Sequence, residues 1–220
     1  MPISSTTRST NINLVYSSVN ISQINLSEIN DKVSAKFQLR PIINQFPEFL
    51  SIIIAEKNLS AVVDPRRIVI VDQSVTDYQS RDLTPLAEMA IFMNAQVGGA
   101  KLVAYGFNFS LIFHLQSSKV NSGKQLVSRF LSNPRKIKKL LTATIIFASG
   151  HRIFFWANKR RYDLRIEPEF DSDLQPTDKF IANLNVHFPV TRLPEQDKLT
   201  AKIKEEYQFL AQRLNSVIEG

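Results

Sequence analysis

The sequence predicts an α+β domain with a mainly antiparallel, mixed sheet, two to four helices, and a long C-terminal amphipathic helix packed on the sheet. Two observations carry most of this prediction. Apolar residues occupy every second position without a break from Val103 to Leu115, which is typical of a half-buried strand. From Pro194 to Val217, apolar residues instead recur at steps of three and four, which indicates an amphipathic helix. Short turns join most of the other predicted strands, as expected for antiparallel neighbours.

The N-terminal region is predicted to begin with a tail and to continue with strands. Residues 1–10 are rich in Ser and Thr, so we predict a polar N-terminal tail there and a single α+β domain over residues 11–220. From Asn11 to Leu39, apolar residues recur at alternate positions, with Asn and Ser between many of them. This period of two predicts half-buried strands.

The next region contains one ambiguous segment and one clear hairpin. From Phe46 to Lys57, Pro47 suits the first turn of a helix, whereas three consecutive isoleucines suit a buried strand; the helix is the favoured interpretation. Residues 61–63 and 68–72 flank a turn sequence with Pro65 at its second position. These two segments are therefore predicted to form a hairpin.

Two helices are predicted around the long alternating strand. The first has Thr84 as its N-cap and Pro85 at its first helical position, and it ends at the pair Gly98-Gly99. The second is short, spans residues 122–132, and is closed by the pair Asn133-Pro134.

The C-terminal half is predicted to contain four more strands before the last helix. Residues 141–148 and 151–157 are expected to form a hairpin about Ser149-Gly150. Residues 162–166 and 180–188 read as two further strands, separated by an acidic loop.

Charge is unevenly distributed along the chain, whose formal net charge is +7. Between Glu88 and Asp163 the sequence contains twelve Lys or Arg residues and no Asp or Glu. Such a concentration of positive charge attracts polyanions by electrostatic steering and by release of counterions. The densest clusters flank a predicted hairpin and supply the candidate contacts to nucleic acid or another anion: Arg135, Lys136, Lys138, Lys139, Lys159, Arg160 and Arg161.

These clusters favour a non-enzymatic binding or assembly protein whose basic central segment contacts nucleic acid or another polyanion. Phe154, Phe155 and Trp156 lie between the two clusters, and any of them left exposed could stack on bases. Strand alternation requires that either Phe155 or the other two are buried. A basic face that is merely solvated is the structural alternative.

Other functions stay open at this point. The same basic segment would also suit a structural or assembly subunit that docks an acidic protein partner. The aromatic face from Val103 to Leu115 suggests a third alternative, a helix-grip-like domain that binds an apolar ligand between the sheet and the last helix. A homo-oligomer is a further alternative, because long strands often protect a sheet edge by pairing with a second copy.

Several classes of protein are disfavoured by composition. The sequence contains no cysteine, which excludes disulfide scaffolds, thiolate metal sites and cysteine nucleophiles. It has no apolar run long enough to span a membrane, and residues 1–10 lack the apolar segment of a secretory signal. We therefore expect a cytoplasmic protein with no membrane partner.

The search for catalytic motifs gives no candidate catalytic or metal-ligating residue. His114, His151 and His187 are widely separated and form no HxH or HExxH pair. Glu167 and Glu169 alternate like the residues of a solvated strand edge and come without the nearby lysine of a nuclease site. The sequence also lacks a phosphate-binding glycine loop and a GxSxG elbow. We therefore expect no cofactor and disfavour an enzyme, the alternative being an active site that forms only in three dimensions.

Overall fold

The computed structural model describes residues 4–74, 82–114, 121–130, 132–140, 145, 147–158 and 160–219. Within these residues, nine strands form one sheet in the order β2-β3-β4-β5-β1-β6-β9-β8-β7. The strands are β1 Ser4–Tyr16, β2 Ile42–Gln45, β3 Leu50–Ile54, β4 Leu59–Asp64, β5 Arg67–Asp72, β6 Leu102–His114, β7 His151–Ala157, β8 Arg160–Phe170 and β9 Pro176–Phe188. The helices are α1 Leu26–Phe37, α2 Thr84–Gln96, α3 Ser122–Phe130, α4 Pro134–Leu140 and α5 Gln196–Glu219, with short 3-10 turns at Ile21–Gln23 and Ala55–Lys57.

The predicted α+β class is confirmed. Every strand pairing in the described part of the chain is antiparallel. The C-terminal helix α5 packs on the sheet through Leu199, Ile203 and Tyr207, which are buried. None of the helices in the described residues is both long enough and apolar enough to cross a membrane.

One face of the sheet carries the hydrophobic core, and we call it the helical face. Its strands contribute alternate buried residues such as Ile12 and Leu14 of β1 and Phe107 and Phe109 of β6. Four helices lie on this face. The Tyr16 hydroxyl donates a hydrogen bond to Asn94 of α2 (2.8 Å), and Lys36 of α1 forms an ion pair with Glu88 of α2 (3.3 Å). Phe130 of α3 contacts the His151 ring (4.7 Å between ring centres), and Tyr207 of α5 contacts the Phe109 ring (5.7 Å).

The predicted N-terminal tail is wrong from Ser4 onward. Residues 4–10 begin strand β1, which pairs with both β5 and β6 in the middle of the sheet. Thr7 and Thr10 are buried there, because β-branched threonines fit the interior of a sheet in spite of their polarity. Residues 1–3 lie outside the described residues.

The strands predicted as far as Leu39 end at Tyr16, and the later part of that segment is helix α1. The Asn25 side chain caps this helix by accepting a hydrogen bond from the backbone N–H of Glu28 at 3.1 Å. Ile29 and Val33, one turn apart, are its buried residues. Several apolar residues of the segment satisfy both a period of two and a helical period, and the cap decides for the helix.

The helix favoured for Phe46 to Lys57 is also wrong. Residues 50–54 form strand β3, which pairs with β2 and β4, and only a 3-10 turn follows it. The run of isoleucines therefore determined the structure, since branched side chains pack well on a pleated sheet. The neighbouring hairpin prediction is confirmed, because β4 and β5 pair through Asp64 and Arg67 across the turn at Pro65.

Helix α2 and strand β6 agree with the predicted elements. The N-cap of α2 is Leu83 rather than Thr84, while Pro85 lies in the first turn as predicted. The carboxylate of Asp82 accepts the backbone N–H of Thr84 at 2.9 Å, which satisfies a donor at this helix start. Residue 115, at the end of the predicted strand, lies outside the described residues.

The region after β6 differs from the prediction in one helix and one hairpin. The predicted helix ends before Asn133, as α3, but Asn133 also starts the unpredicted helix α4, since its side chain accepts the backbone N–H of Lys136 at 3.0 Å. Strand β7 forms its hairpin with β8, through a turn at Asn158 with a positive φ of 50°. Residues 145, 147 and 148 of the strand predicted over residues 141–148 are not in a strand, and residues 141–144 and 146 lie outside the described residues.

Candidate functional site

Four of the predicted contact residues lie together on helix α4. Arg135, Lys136 and Lys139 are exposed and Lys138 is half-buried. Lys159 lies outside the described residues. The cluster on α4 is therefore accessible to an anion, and its role as a contact stays a prediction.

Arg160 and Arg161 point to opposite faces of the sheet, because successive residues of a strand alternate. On the helical face, the guanidinium of Arg160 forms an ion pair with the buried carboxylate of Glu206 and lies 3.6 Å from Glu205. The Tyr162 hydroxyl donates to the other oxygen of Glu206 at 2.8 Å. Arg160 is thus used to attach α5 to the sheet.

A second cation supports the same attachment. The amine of Lys202 on α5 donates to the Tyr105 hydroxyl at 3.1 Å and lies 4.5 Å from the ring centre of Phe188. Burial, together with the nearby positive charge of Arg160, lowers the pKa of Lys202, and burial raises the pKa of Tyr105 to about 12. These groups hold the helix rather than present charge to a partner.

The other face of the sheet, which we call the open face, carries exposed and half-buried side chains. At its β7 end, three alternate residues of β7 project outward together with two of β8. Ile153 and Phe155 between them turn to the helical face, where Phe155 stacks on Tyr162 at 4.8 Å between ring centres. We call the outward set the arginine–aromatic edge; it consists of Arg152, Phe154, Trp156, Arg161 and Arg165.

The two outward aromatic side chains of this edge are unusually exposed. Trp156 is 74% exposed and Phe154 is 55% exposed. The guanidinium of Arg152 lies 4.7 Å from the centre of the Phe154 ring, and that of Arg161 lies 5.9 Å from it. A guanidinium is attracted to the negative face of an aromatic ring, which stabilises the position of the Phe154 ring between the two arginines. The arginines therefore orient Phe154, whereas Trp156 presents its ring to solvent.

A carboxylate lies among these cations. Asp163 accepts two hydrogen bonds from Arg152, at 2.9 Å to Nε and at 2.6 Å to the terminal nitrogen. Hydrogen bonding to Arg152 lowers the pKa of Asp163, and the nearby Arg165 and Arg161 lower it further. Asp163 thus stays ionised at neutral pH and competes for Arg152 with any bound anion.

The middle of the open face is lined by amides, which we call the asparagine patch: Asn11 and Asn13 of β1, Asn108 of β6, and Asn183 and Asn185 of β9. Strand register places Asn11, Asn108 and Asn185 in one row across three strands. The Asn11 side-chain oxygen accepts from the Asn108 amide at 2.6 Å and from the Asn13 amide at 3.1 Å.

Two shallow depressions lie side by side on the open face. The smaller, of about 260 Å³, adjoins the arginine–aromatic edge and is lined by Arg161, Tyr162, Asp163, Asn185 and His187. The larger, of about 410 Å³, is lined by Arg8, Ser9, Asn11, Asn108, Phe109, Ser110, Asp163, Arg165, Asn183, Leu184 and Asn185. Asp163 and Asn185 belong to both, so the depressions form one continuous surface.

Gly106 lies between Asn13 and His187 in register and is buried. A Cβ there would come within 2.6 Å of the Val186 carbonyl oxygen, so no side chain fits. The row of paired residues that contains Asn13, Gly106 and His187 continues across the next two strands to Arg161 of β8 and Trp156 of β7. No side chain therefore separates Asn13 from His187 in this row.

Carboxylates lie beside some of the cations of the open face. Further along β8, Glu167 lies 3.9 Å from Arg165, and Glu169 lies 3.8 Å from Lys179. Among the described residues, no three His, Asp or Glu side chains form a group that could hold a metal ion. The open face thus offers a cationic edge, exposed rings and amides, which suit an anionic ligand with flat polar groups.

Sequence reasoning identified Arg161, Phe154 and Trp156 but missed the other members of this surface. Arg152 and Arg165 are far apart in sequence and become neighbours only through the β7–β8 register. One signal for the patch was present, namely the repeated pattern Asn-x-Asn at 11–13 and 183–185. The chain matches no protein-family model and no curated protein, so its function has to be argued from this surface.

Proposed function

We propose that this protein binds single-stranded nucleic acid on the open face, with bases stacked at the arginine–aromatic edge. The observation that carries the proposal is the exposure of Trp156, 74%, and Phe154, 55%, directly beside Arg152 and Arg161. Aromatic rings on a positively charged surface are the common feature of proteins that bind single strands.

The exposed rings carry this argument because the fold gives them no packing role. The helical face buries its aromatic residues, as the stacking of Phe155 on Tyr162 shows for the same strand. Trp156 lies on the opposite side, where a large apolar surface stays in water until a partner covers it. A nucleobase covers such a ring on its flat face, and every base has a π-face to offer.

The arginines fit the phosphate groups of such a ligand. Arg161 and Arg165 are exposed and flank the shared wall of the two depressions, while Arg8 lies across the larger depression from Arg165. Arginine forms two parallel hydrogen bonds with a phosphate, which lysine cannot do with the same geometry. Contacts of this kind to the phosphate backbone hold a nucleic-acid strand in place without selecting its sequence.

A single strand fits the shape of the surface better than a duplex. Proteins read duplex DNA by inserting a helix or a two-stranded ribbon into a major groove about 12 Å wide. The five β-strands from β7 to β1 span about 19 Å at the usual strand spacing of about 4.8 Å, and the sheet continues on to β5. This part of the sheet is therefore wider than the major groove. Bases that stack on Trp156 must also be unpaired.

Helix α4 supplies a second, electrostatic contribution in this proposal. Its cations, Arg135, Lys136, Lys138 and Lys139, attract a polyanion at long range and release counterions on contact. Such contacts strengthen binding to every sequence and weaken as salt rises. Arg160 takes no part, since it is engaged with Glu206.

Fluorescence anisotropy with a labelled single-stranded oligonucleotide at about 50 mM salt tests the proposal. The variant Arg161→Glu/Arg165→Glu should weaken binding at least about tenfold, since it reverses two phosphate contacts. The matched control Arg66→Glu/Lys101→Glu changes net charge equally at exposed residues elsewhere and should lose much less.

Three outcomes would overturn the proposal. The first is that no oligonucleotide binds, and the second is that the control variant loses as much affinity as the test variant. The third is that polyglutamate binds as tightly as the oligonucleotide and with the same dependence on the two arginines. That result would favour an acidic protein partner for this surface.

A further inference from the structure

The larger depression of the open face differs from the arginine–aromatic edge in its chemistry. Four side-chain amides line it, together with two serines, the Asp163 carboxylate, and the cations Arg8 and Arg165. A guanidinium binds phosphate, whereas an amide presents a donor and an acceptor side by side, as a base edge does. We propose that this depression is a base-selective subsite that prefers adenine, with Asn108 as its specificity-determining residue; this rests on the proposed function.

The hydrogen bonds within the asparagine patch fix what Asn108 can offer. The Asn11 side-chain oxygen accepts from Asn108 at 2.6 Å and from Asn13 at 3.1 Å, which occupies both of its lone pairs. Asn108 uses one N–H in this contact, which also sets the orientation of its amide. A carbonyl oxygen and a second N–H of Asn108 are then left for a ligand.

One acceptor beside one donor complements adenine. The adenine amino group donates to the carbonyl, and its ring nitrogen N7 accepts the N–H, in the usual asparagine–adenine pairing. Guanine has the same size but presents two acceptors, O6 and N7, on that edge, so the Asn108 carbonyl would face an acceptor. Pyrimidines are smaller and cover less of the depression.

Neighbouring residues complete the subsite. Asn185 lies directly opposite Asn108 on β9, and Asn183 follows one cross-strand row further along. Arg8 and Arg165 are exposed and line the same depression, so in this proposal they bind the phosphates on either side of the base. The subsite therefore binds the base by its edge and the backbone by its charge.

The adenine subsite and the stacking position hold different nucleotides. Three strand spacings of about 4.8 Å separate β6 from β7, and Trp156 lies two residues, about 7 Å, along the strands from the row that contains Asn108. The backbones at Asn108 and Trp156 are therefore about 16 Å apart. Adjacent stacked bases are only about 3.4 Å apart. Loss of stacking at Trp156 should thus weaken all sequences alike, whereas loss of Asn108 should remove only the preference for adenine.

Anisotropy titrations with labelled single-stranded hexamers of A, of C and of U, and with a hexamer alternating G and U, test the inference. The A hexamer should bind about tenfold more tightly than the others, as expected for one good bidentate base contact. Asn108→Leu, which keeps the size of the side chain, should bring the A hexamer to the level of the other three. Asn44→Leu, on the same face but on β2, is the matched control and should keep the preference.

A second variant guards against a folding defect at the half-buried Asn108. Asn185 is exposed, so Asn185→Leu should fold normally and reduce the preference for adenine in part. Equal binding of all four hexamers by the wild type would overturn the adenine subsite while leaving the proposed function intact. An adenine preference that survives in a folded Asn108→Leu variant would also overturn it. Failure of every hexamer to bind would overturn the proposed function as well.

Discussion

Removal of the Trp156 ring should weaken binding of single-stranded nucleic acid without unfolding the protein. Trp156 is 74% exposed, so Trp156→Ala removes little packing and should change the free energy of unfolding by less than about 0.5 kcal/mol. Stacking of a base on an aromatic side chain contributes about 1–3 kcal/mol. Since about 1.4 kcal/mol corresponds to a tenfold change in affinity, the variant should bind about 5- to 150-fold more weakly.

Anisotropy with a labelled oligonucleotide measures this loss, and urea denaturation checks stability in parallel. Trp156→Phe keeps a stacking ring and should recover most of the affinity. Phe46→Ala is the matched control, because Phe46 is an exposed aromatic residue, 49%, near β2 at the far end of the sheet. Normal affinity in a folded Trp156→Ala variant, or an equal loss in Phe46→Ala, would refute stacking at this residue.

Three further substitutions test other contacts of the site and of the fold. Asp163→Asn should tighten oligonucleotide binding, because it frees Arg152 for one more phosphate. The slope of log affinity against log salt should then steepen by about 0.7, and an unchanged slope would contradict this. Glu206→Ala should lower the free energy of unfolding by about 3–5 kcal/mol in a urea titration, because it leaves Arg160 without its buried partner. Glu205→Ala, at an exposed site, should lower it by less than about 1 kcal/mol, and equal losses would contradict the role of the buried pair. Gly106→Ala should lower the free energy of unfolding by more than about 1 kcal/mol, since its Cβ would meet a backbone oxygen at 2.6 Å. In Gly98→Ala the Cβ meets nothing within 4 Å, so this control should unfold at the same temperature as the wild type. A normal melting temperature for Gly106→Ala would contradict the close approach at this residue.

Elements with a single dominant pattern could be predicted from the sequence. Strand β6 has apolar residues at alternate positions from Tyr105 to Phe113, and α2 combines a proline in its first turn with a glycine pair at its end. In both, local preference and burial point to the same structure. The C-terminal helix α5 likewise has its apolar stripe on the face that meets the sheet.

Elements in which two patterns competed could not be decided from local sequence alone. The residues of α1 fit strand and helix periods alike, and the contact of Asn25 with the Glu28 backbone settles the helix. For β3, pairing with two neighbouring strands outweighs the helix-compatible proline at residue 47. The buried Thr7 and Thr10 show the same effect, since position in the sheet overrides a polar composition.

The candidate site was only partly predictable because it is formed by strand register. Arg160 and Arg161 are adjacent in the sequence, yet alternation sends one to the helical face and the other to the open face. Arg152 and Arg165 show the converse, since register brings them together from separate strands. A count of charges along the chain locates a basic region but cannot assign its members to a face.

Intrinsic fluorescence gives the most direct test of the central claim, because Trp156 is the only tryptophan in the sequence. Titration of the unlabelled protein with a single-stranded oligonucleotide should quench this fluorescence, and the titration should saturate at the affinity measured by anisotropy. Bound oligonucleotide should also protect Trp156 from quenching by acrylamide. Binding seen by anisotropy with unchanged tryptophan fluorescence and unchanged acrylamide quenching would contradict stacking at the arginine–aromatic edge.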